Sequence, residues 1–233
     1  MNFLTIIPAR SGSKEIKNKN ILSFNDKPLI YWTIKSAKEC HYIKDIVVST
    51  DSKKIKKIAE KYKCYVPFLR EKNLAKPSSL MIDVVNNVVN KVDLKRKKYD
   101  AVIILQPTSP LRTADHISKA CKIFEKNNSD SLVSVCKIHH NHNPEDIYTL
   151  NGNFLKKYSN KIIKTTPLRQ KKKIYYGKNG AAIYITKINR INKYILGGKT
   201  SYLIMDKFVS IDIDDLNDFK LAELLHKITI KRK

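Results

Sequence analysis

A chain of 233 residues with 42% hydrophobic content is long enough for a proper core and too apolar to stay disordered. No apolar run approaches the ~18 residues that cross a bilayer, and the N-terminus enters a strand pattern without a signal peptide's basic region or cleavage site, so a cytoplasmic location is expected. The net charge of +25 raises the question of nucleic acid, yet only seven of the 46 basic residues are arginine. The lysines spread along helix faces and loops, and no recognition motif interleaves aromatics with them, which argues against a specific nucleic-acid partner.

In chain order, 2–7 reads as a buried strand and 29–40 as a helix with Leu29, Ile30, Thr33, Ile34 and Ala37 on one face. A strand over 46–50 follows, then a helix striped by Ile55, Ile58, Ala59 and Tyr62, and a short strand over 64–66. Val84, Val85, Val88, Val89 and Val92 keep a helical period despite their β-branching. Next come a strand over 101–105, a helix carrying Ile117, Ala120, Cys121 and Phe124, and a strand over 131–135. This alternation predicts an α/β fold, a mostly parallel sheet flanked by helices. From about residue 137 the rhythm breaks. Asn151-Gly152 between apolar pairs predicts a hairpin, and residues 137–185 read as an arm inserted into a single domain spanning 1–233. Strands over 181–186 and 209–213, a short helix at Ile191 and Ile195, and a closing helix over 219–228 complete the pattern. Cys40, Cys64, Cys121 and Cys136 lack C-x-x-C spacing and read as reduced thiols.

The chemistry is concentrated in a few places. Strand one breaks into Pro8-Ala9-Arg10-Ser11-Gly12-Ser13-Lys14, with Lys19-Asn20 beyond. Gly12 and its serines can turn backbone N–H groups into one concavity, and Arg10, Lys14 and Lys19 add positive charge. On its residues alone the loop is either a polyphosphate cradle or a polar strand–helix connection, since it matches neither a Walker A loop nor a dinucleotide fingerprint. Asp212 and Asp214 sit one residue apart in S-I-D-I-D, a spacing that places both carboxylates on one side of a strand. The pair suits Mg²⁺ (or Mn²⁺) shared with substrate phosphates, or else a structural strand end, with Asp215 and Asp218 starting the last helix. Gln106 ends a central strand, at the rim where such sheets bind ligands. His139-His140-x-His142 reads as a polar loop rather than a zinc site, lacking a fourth ligand.

The motif P-A-R-S-G-S-K-x-I-x-x-K-N, followed by Q-P-T-S-P-L-R at 106–112, N-G-A at 179–181 and S-I-D-I-D at 210–214, resembles the acylneuraminate cytidylyltransferase family, which activates sialic, legionaminic and pseudaminic acids. The blocks occur in the family's order over nearly the whole chain. The resemblance implies a Rossmann-like nucleotidyltransferase domain that transfers CMP from CTP to the anomeric hydroxyl of a nonulosonic sugar, with the arm crossing to a second subunit of a homodimer. It implies catalytic roles for Arg10, Lys14, Lys19 and Asp212, and a metal on Asp212 and Asp214. The nucleotide side would be Arg10, Ser11, Gly12, Ser13, Lys14, Asn20, Arg70 and Ser78. The sugar side would be Gln106, Arg169, Asn179 and Gly180, with Arg169 taking the sugar's carboxylate. Lys76-Pro77, Gly177-Lys178 and Asn179-Gly180-Ala181-Ala182 depart from the family pattern and leave the identity of the sugar open. A Kdo cytidylyltransferase or a sugar-phosphate guanylyltransferase is the alternative on the same fold, and a basic nucleic-acid-binding protein the alternative outside it.

Overall fold

The computed structural model describes residues 1–13, 15–158, 173–180 and 182–231. The elements run β1 (Phe3–Pro8), a small hairpin β2 (Ser23–Phe24) and β3 (Lys27–Pro28), α1 (Leu29–Lys38), β4 (Ile43–Ser49), α2 (Lys53–Lys61), α3 (Met81–Val92), β5 (Ala101–Ile104) and α4 (Ala114–Lys126). They continue through β6 (Ser131–Lys137), β7 (Tyr148–Asn151), β8 (Phe154–Lys157), β9 (Tyr176–Lys178), β10 (Tyr184–Lys187), β11 (Thr200–Ile204) and α5 (Leu216–Lys231).

The central sheet has the order β11-β6-β10-β5-β1-β4, with β9 added to the end of β6. The run Phe3–Ile7 is buried on both faces, as a central parallel strand must be. Side chains of α1, α2 and α4 (Ile30, Ile34, Ile55, Ala59, Ile117, Phe124) cover one face. Val85, Val88 and Val89 of α3 cover the other, against Leu4, Ile6, Val102 and Ile104. The helices start where their caps stand. Ser52 accepts from the Ile55 N–H, and Thr113 and His116 form a reciprocal capping box. Among the described residues, no helix is long and apolar enough to cross a membrane.

Three expectations need correction. The segment 209–213 is not a strand: it crosses the sheet's end and bonds to loops, with the Ile213 N–H donating to the Thr108 carbonyl at 2.8 Å. The strand of that region is β11, where Ser201 and Leu203 face inward in alternation. Ile191 and Ile195 lie in turns rather than a helix; their apolar spacing serves docking onto the α3 cluster. Of 64–66, only Tyr65 makes a bridge, to Val47. The predicted hairpin is present as β7–β8, with Gly152 at φ +59° in its turn. The stretch near 137–185 leaves the sheet after β6 and is back in it by Tyr184.

One topological feature positions the site. β10 is antiparallel to both neighbours, β5 and β6, and β9 is antiparallel to the end of β6, while β1–β4, β1–β5 and β6–β11 are parallel pairs. The chain entering β10 therefore arrives at the carboxyl ends of β1, β5 and β6. That rim is where open α/β sheets place their ligands.

Candidate active site

The loop after β1 is fixed from several sides. The Ala9 N–H donates to the Ser49 carbonyl at 2.9 Å, and Asn20 Nδ2 donates to the Arg10 carbonyl at 2.9 Å. Two of the amides expected in the nest, those of Ser11 and Ser13, are engaged within the protein. The Ser11 N–H donates to Asp51 Oδ1 at 2.8 Å, and the Ser13 N–H donates to the Ser11 carbonyl at 3.1 Å. The loop presents side chains instead. Arg10 Nη1 is buried without a hydrogen-bond partner among the described residues. Gly12 is exposed, and an added Cβ would come no nearer than 4.0 Å to Arg10 Nη1. Lys14 lies outside the described residues.

Arg10, Ser13, Lys19, Asn20, Arg70, Gln106, Thr108, Asp212 and Asp214 line a cleft of about 230 Å³. Lys19 is pinned rather than mobile: Nζ donates to the carbonyls of Ile213 at 2.6 Å and Asp214 at 3.3 Å, tying the first loop to the acidic one. Arg70 is buried and donates from Nε to Ser49 Oγ at 3.1 Å and from Nη2 to the Ser49 carbonyl at 2.6 Å. Burial pushes its pKa down to about 10, opposed by Asp51 and reinforced by Arg10. Two guanidinium groups and a lysine on one wall make a cleft that favours a polyanion.

Asp212 lines the same cleft. Its Oδ1 is buried and accepts no hydrogen bond from the described residues. Burial raises its pKa, Asp214 raises it further, and the Thr108 hydroxyl and Lys19 pull it down. An orphaned carboxylate oxygen beside a second carboxylate is a hard-oxygen donor set short of a positive charge. These residues fit a divalent cation that takes its other oxygens from a phosphate.

Gln106, Asp212 and Met81 also border a second lobe of about 360 Å³, whose other walls include Ile104, Lys178, Gly180, Tyr184, Ile195 and Leu196. The two lobes share these three side chains and form one continuous site. Gly180 packs on Asp212 at φ +65°. Asn179 is buried: its Oδ1 accepts from Ser134 Oγ at 2.7 Å and its Nδ2 donates to Ser210 Oγ at 3.0 Å, so its side chain braces the turn. Ser78 is exposed and absent from the cleft wall, where Met81 stands instead. Arg169 lies outside the described residues. Arg112 is 2% exposed and donates to the carbonyls of Gln106 (3.2 Å) and Ala182 (2.8 Å) and to Thr33 Oγ1 (2.7 Å), which makes it a support beneath the site. Burial pushes its pKa down to about 9, and Asp212 opposes that shift. Asp215 caps α5, accepting from the Asn217 and Asp218 N–H groups. His139 and His140 stack at 4.1 Å in a polar turn beside a separate cavity.

Sequence reasoning missed Asp51 and Tyr184, and marked Lys178 only as a departure from the family pattern. Asp51 had a readable signal, an acid just after a parallel strand. Lys178 ends β9, antiparallel to β6, and Tyr184 opens β10, antiparallel to β5 and β6; no local pattern announces either reversal. A separate cavity of about 600 Å³ lies away at the outer edge of β4. Three of its five lysines are already engaged, Lys98 on Asp45, Lys91 on Glu71 and Lys38 on the Tyr62 carbonyl.

The chain is 37% identical over 227 residues to post-translational flagellin modification protein B of Campylobacter coli, covering 96% of this chain and 94% of the relative. It is 35% identical over 236 residues to the CMP-N,N'-diacetyllegionaminic acid synthase of Legionella pneumophila, covering 98% and 97%. The solved structure of a CMP:2-keto-3-deoxy-manno-octonic acid synthetase complexed with CTP superposes with a TM-score of 0.74 over 98% of this chain and all of that one, at 14% identity, a likeness of fold. The family model described as cytidylyltransferase matches residues 4–226, and the chain belongs to that family.

Proposed function

We propose that the protein transfers CMP from CTP to the anomeric hydroxyl of a nonulosonic, sialic-acid-like sugar, releasing pyrophosphate. The observation that carries this reading is the two-lobed site: a cationic cleft and a more apolar lobe meet at Gln106 and Asp212. A reaction between a triphosphate and a sugar needs two compartments joined at the reacting atoms. Legionaminic acid is within the class, as the synthase from Legionella illustrates.

In this reading Arg10 and Arg70 bind the triphosphate and stabilise charge on the departing pyrophosphate. Ser13 and Lys19 complete that wall, and Asn20 sets Arg10 through its backbone. Gln106 both donates and accepts at the junction, which suits a sugar hydroxyl. Ile104, Ile195, Leu196 and Tyr184 exclude water from the sugar lobe, and the Gly180 backbone shapes its floor. Asp212 and Asp214 would hold Mg²⁺ or Mn²⁺, which supplies Lewis-acid charge neutralisation at the phosphate when bound. The sugar hydroxyl gives its proton to solvent as its oxygen bonds to the α-phosphorus, the bond to the bridging oxygen breaks and pyrophosphate leaves, and catalysis is positioning and charge stabilisation. Lys14 and Arg169 join this assignment through the family resemblance.

Leu150, Phe154 and Leu155 of the β7–β8 hairpin are among the most exposed apolar side chains. A hairpin with that surface needs a cover, and a second copy of the chain is the cover we propose. The chain is read as one catalytic domain that works in the cytoplasm, where CTP is made.

The test is a matrix: the purified protein, Mg²⁺, each of the four ribonucleoside triphosphates, and a panel of nonulosonic acids, Kdo and sugar phosphates, with pyrophosphate as the readout. Release with CTP and a nonulosonic acid supports the reading. Release with GTP and a sugar phosphate, or with Kdo alone, overturns it. For the dimer, a Phe154→Ser variant should sediment as a monomer where the parent does not.

A further inference from the structure

Behind the cleft wall, one carboxylate holds the nucleotide loop in place. Asp51 lies two residues past the end of β4, and its own position is fixed on both sides. The Arg70 N–H donates to the Thr50 carbonyl at 2.7 Å, and Ser52, the next residue, caps α2. From that rigid base the Asp51 carboxylate accepts two hydrogen bonds from Ser11, from the backbone N–H at 2.8 Å and from Oγ at 2.5 Å. Both bonds are charge-assisted, the strong class. Asp51 also opposes the burial shift on Arg70, whose guanidinium stands near enough to feel Arg10. The single carboxylate thus restrains the loop that carries Arg10 and offsets the repulsion between the cleft's two arginines.

We propose that Asp51 is a positioning residue for the nucleotide, acting through Ser11 and the Arg10–Arg70 pair without touching CTP; the proposal rests on the CTP reading above. The rival is a placeholder, an internal anion that a phosphate displaces from Ser11. A placeholder would face the cleft. The cleft wall is made by Arg10, Ser13, Lys19 and Arg70, and neither Asp51 nor Ser11 belongs to it. The two roles predict opposite signs. Removing a positioning carboxylate weakens CTP binding, and removing a competing anion strengthens it.

The experiment is calorimetric titration of CTP into wild type, Asp51→Ala, Asp51→Asn and Ser11→Ala, with KM measured separately for CTP and for the acidic sugar. Asp51→Ala should raise the Kd and KM for CTP about tenfold or more, the scale of lost charge-assisted hydrogen bonds, while the sugar KM stays within about twofold. Asp51→Asn keeps an acceptor for the Ser11 N–H, and Ser11→Ala removes one bond of the two. Both should fall between wild type and Asp51→Ala, and they carry the test should the alanine variant fail to fold. Tighter CTP binding in Asp51→Ala or Asp51→Asn, unchanged binding, or an equal rise in both KM values overturns the proposal. A wild type that binds no CTP overturns the CTP reading and this role together. A wild type that binds CTP alongside variants that bind it equally overturns this role alone.

Discussion

The backbone of Gly180 packs directly against the side chain of Asp212: at φ +65°, a methyl group at position 180 would overlap the carboxyl group and stand 2.8 Å from Asp212 Cβ. The turn before β10 and the loop after β11 are far apart in sequence, and this contact sets how deep the acid sits at the junction of the two lobes. Asn179 fixes the turn from below through Ser134 and Ser210.

Gly180→Ala should therefore injure catalysis more than folding. A side chain at positive φ destabilises by about 1 kcal/mol or more, whereas shifting a reacting group by about 1 Å costs roughly 10²-fold in rate. Denaturant unfolding and kcat on the same preparation separate the two effects. A variant that retains wild-type kcat would remove Asp212 from the reaction centre.

Asp212→Asn should abolish turnover and raise the melting temperature. The folded protein holds this carboxyl above its ordinary pKa, chiefly by burial and then by Asp214. The native state thus binds the extra proton, and stability contributed by this group is lost as pH rises from the usual carboxylate range through the raised value. An amide removes that loss at neutral pH. Thermal melts of variant and parent at pH 5 and 8 check the sign, with the larger gain expected at pH 8.

Arg112→Met should destabilise by about 2–4 kcal/mol, because the Gln106 and Ala182 carbonyls and the Thr33 hydroxyl lose a donor in a buried place. Arg112→Lys keeps the charge without the planar fork and should recover less than half of the loss. Urea midpoints with a constant m-value measure both.

Acid should loosen the attachment of α5. His226 Nδ1 accepts from Asn25 Nδ2 at 2.8 Å, and its ring lies 4.0 Å from that of Trp32. Burial, aided by Lys35 and opposed by Glu223, holds its pKa below the usual value, and His116 is lowered by burial too. A histidine depressed in the fold takes up its proton on unfolding, so stability falls as pH drops below about 6.5 toward the depressed values. Trp32 is the chain's one tryptophan, so its fluorescence reports this contact directly. His226→Phe should flatten the acid limb of the stability profile, leaving the part due to His116.

The sheet and its helices were legible because hydrophobic period and burial coincide: Phe3–Ile7 is buried throughout, and the valines of α3 face one cluster. The site was legible where a motif supplies side chains to the rim, as with Arg10, Arg70, Gln106, Asp212 and Asp214. It was illegible where the backbone decides. The amides of Ser11 and Ser13 go to partners inside the protein, Lys19 is held by carbonyls about two hundred residues away in the chain, and the antiparallel strands β9 and β10 bring in Lys178 and Tyr184. The segment 209–213 has a strand's alternation without a neighbouring strand to pair with. The Ile191–Ile195 stretch has a helix's spacing in turns that dock on α3.

The central claim, that one cleft joins a cytidine triphosphate to an acidic sugar, is tested most directly by pyrophosphate release with CTP and a nonulosonic acid, wild type against Asp212→Asn. The account predicts release that needs CTP, the sugar and Mg²⁺ or Mn²⁺ together, and that disappears in a well-folded Asp212→Asn. Equal release from the variant, or release from the wild type with another nucleotide in place of CTP, would contradict it.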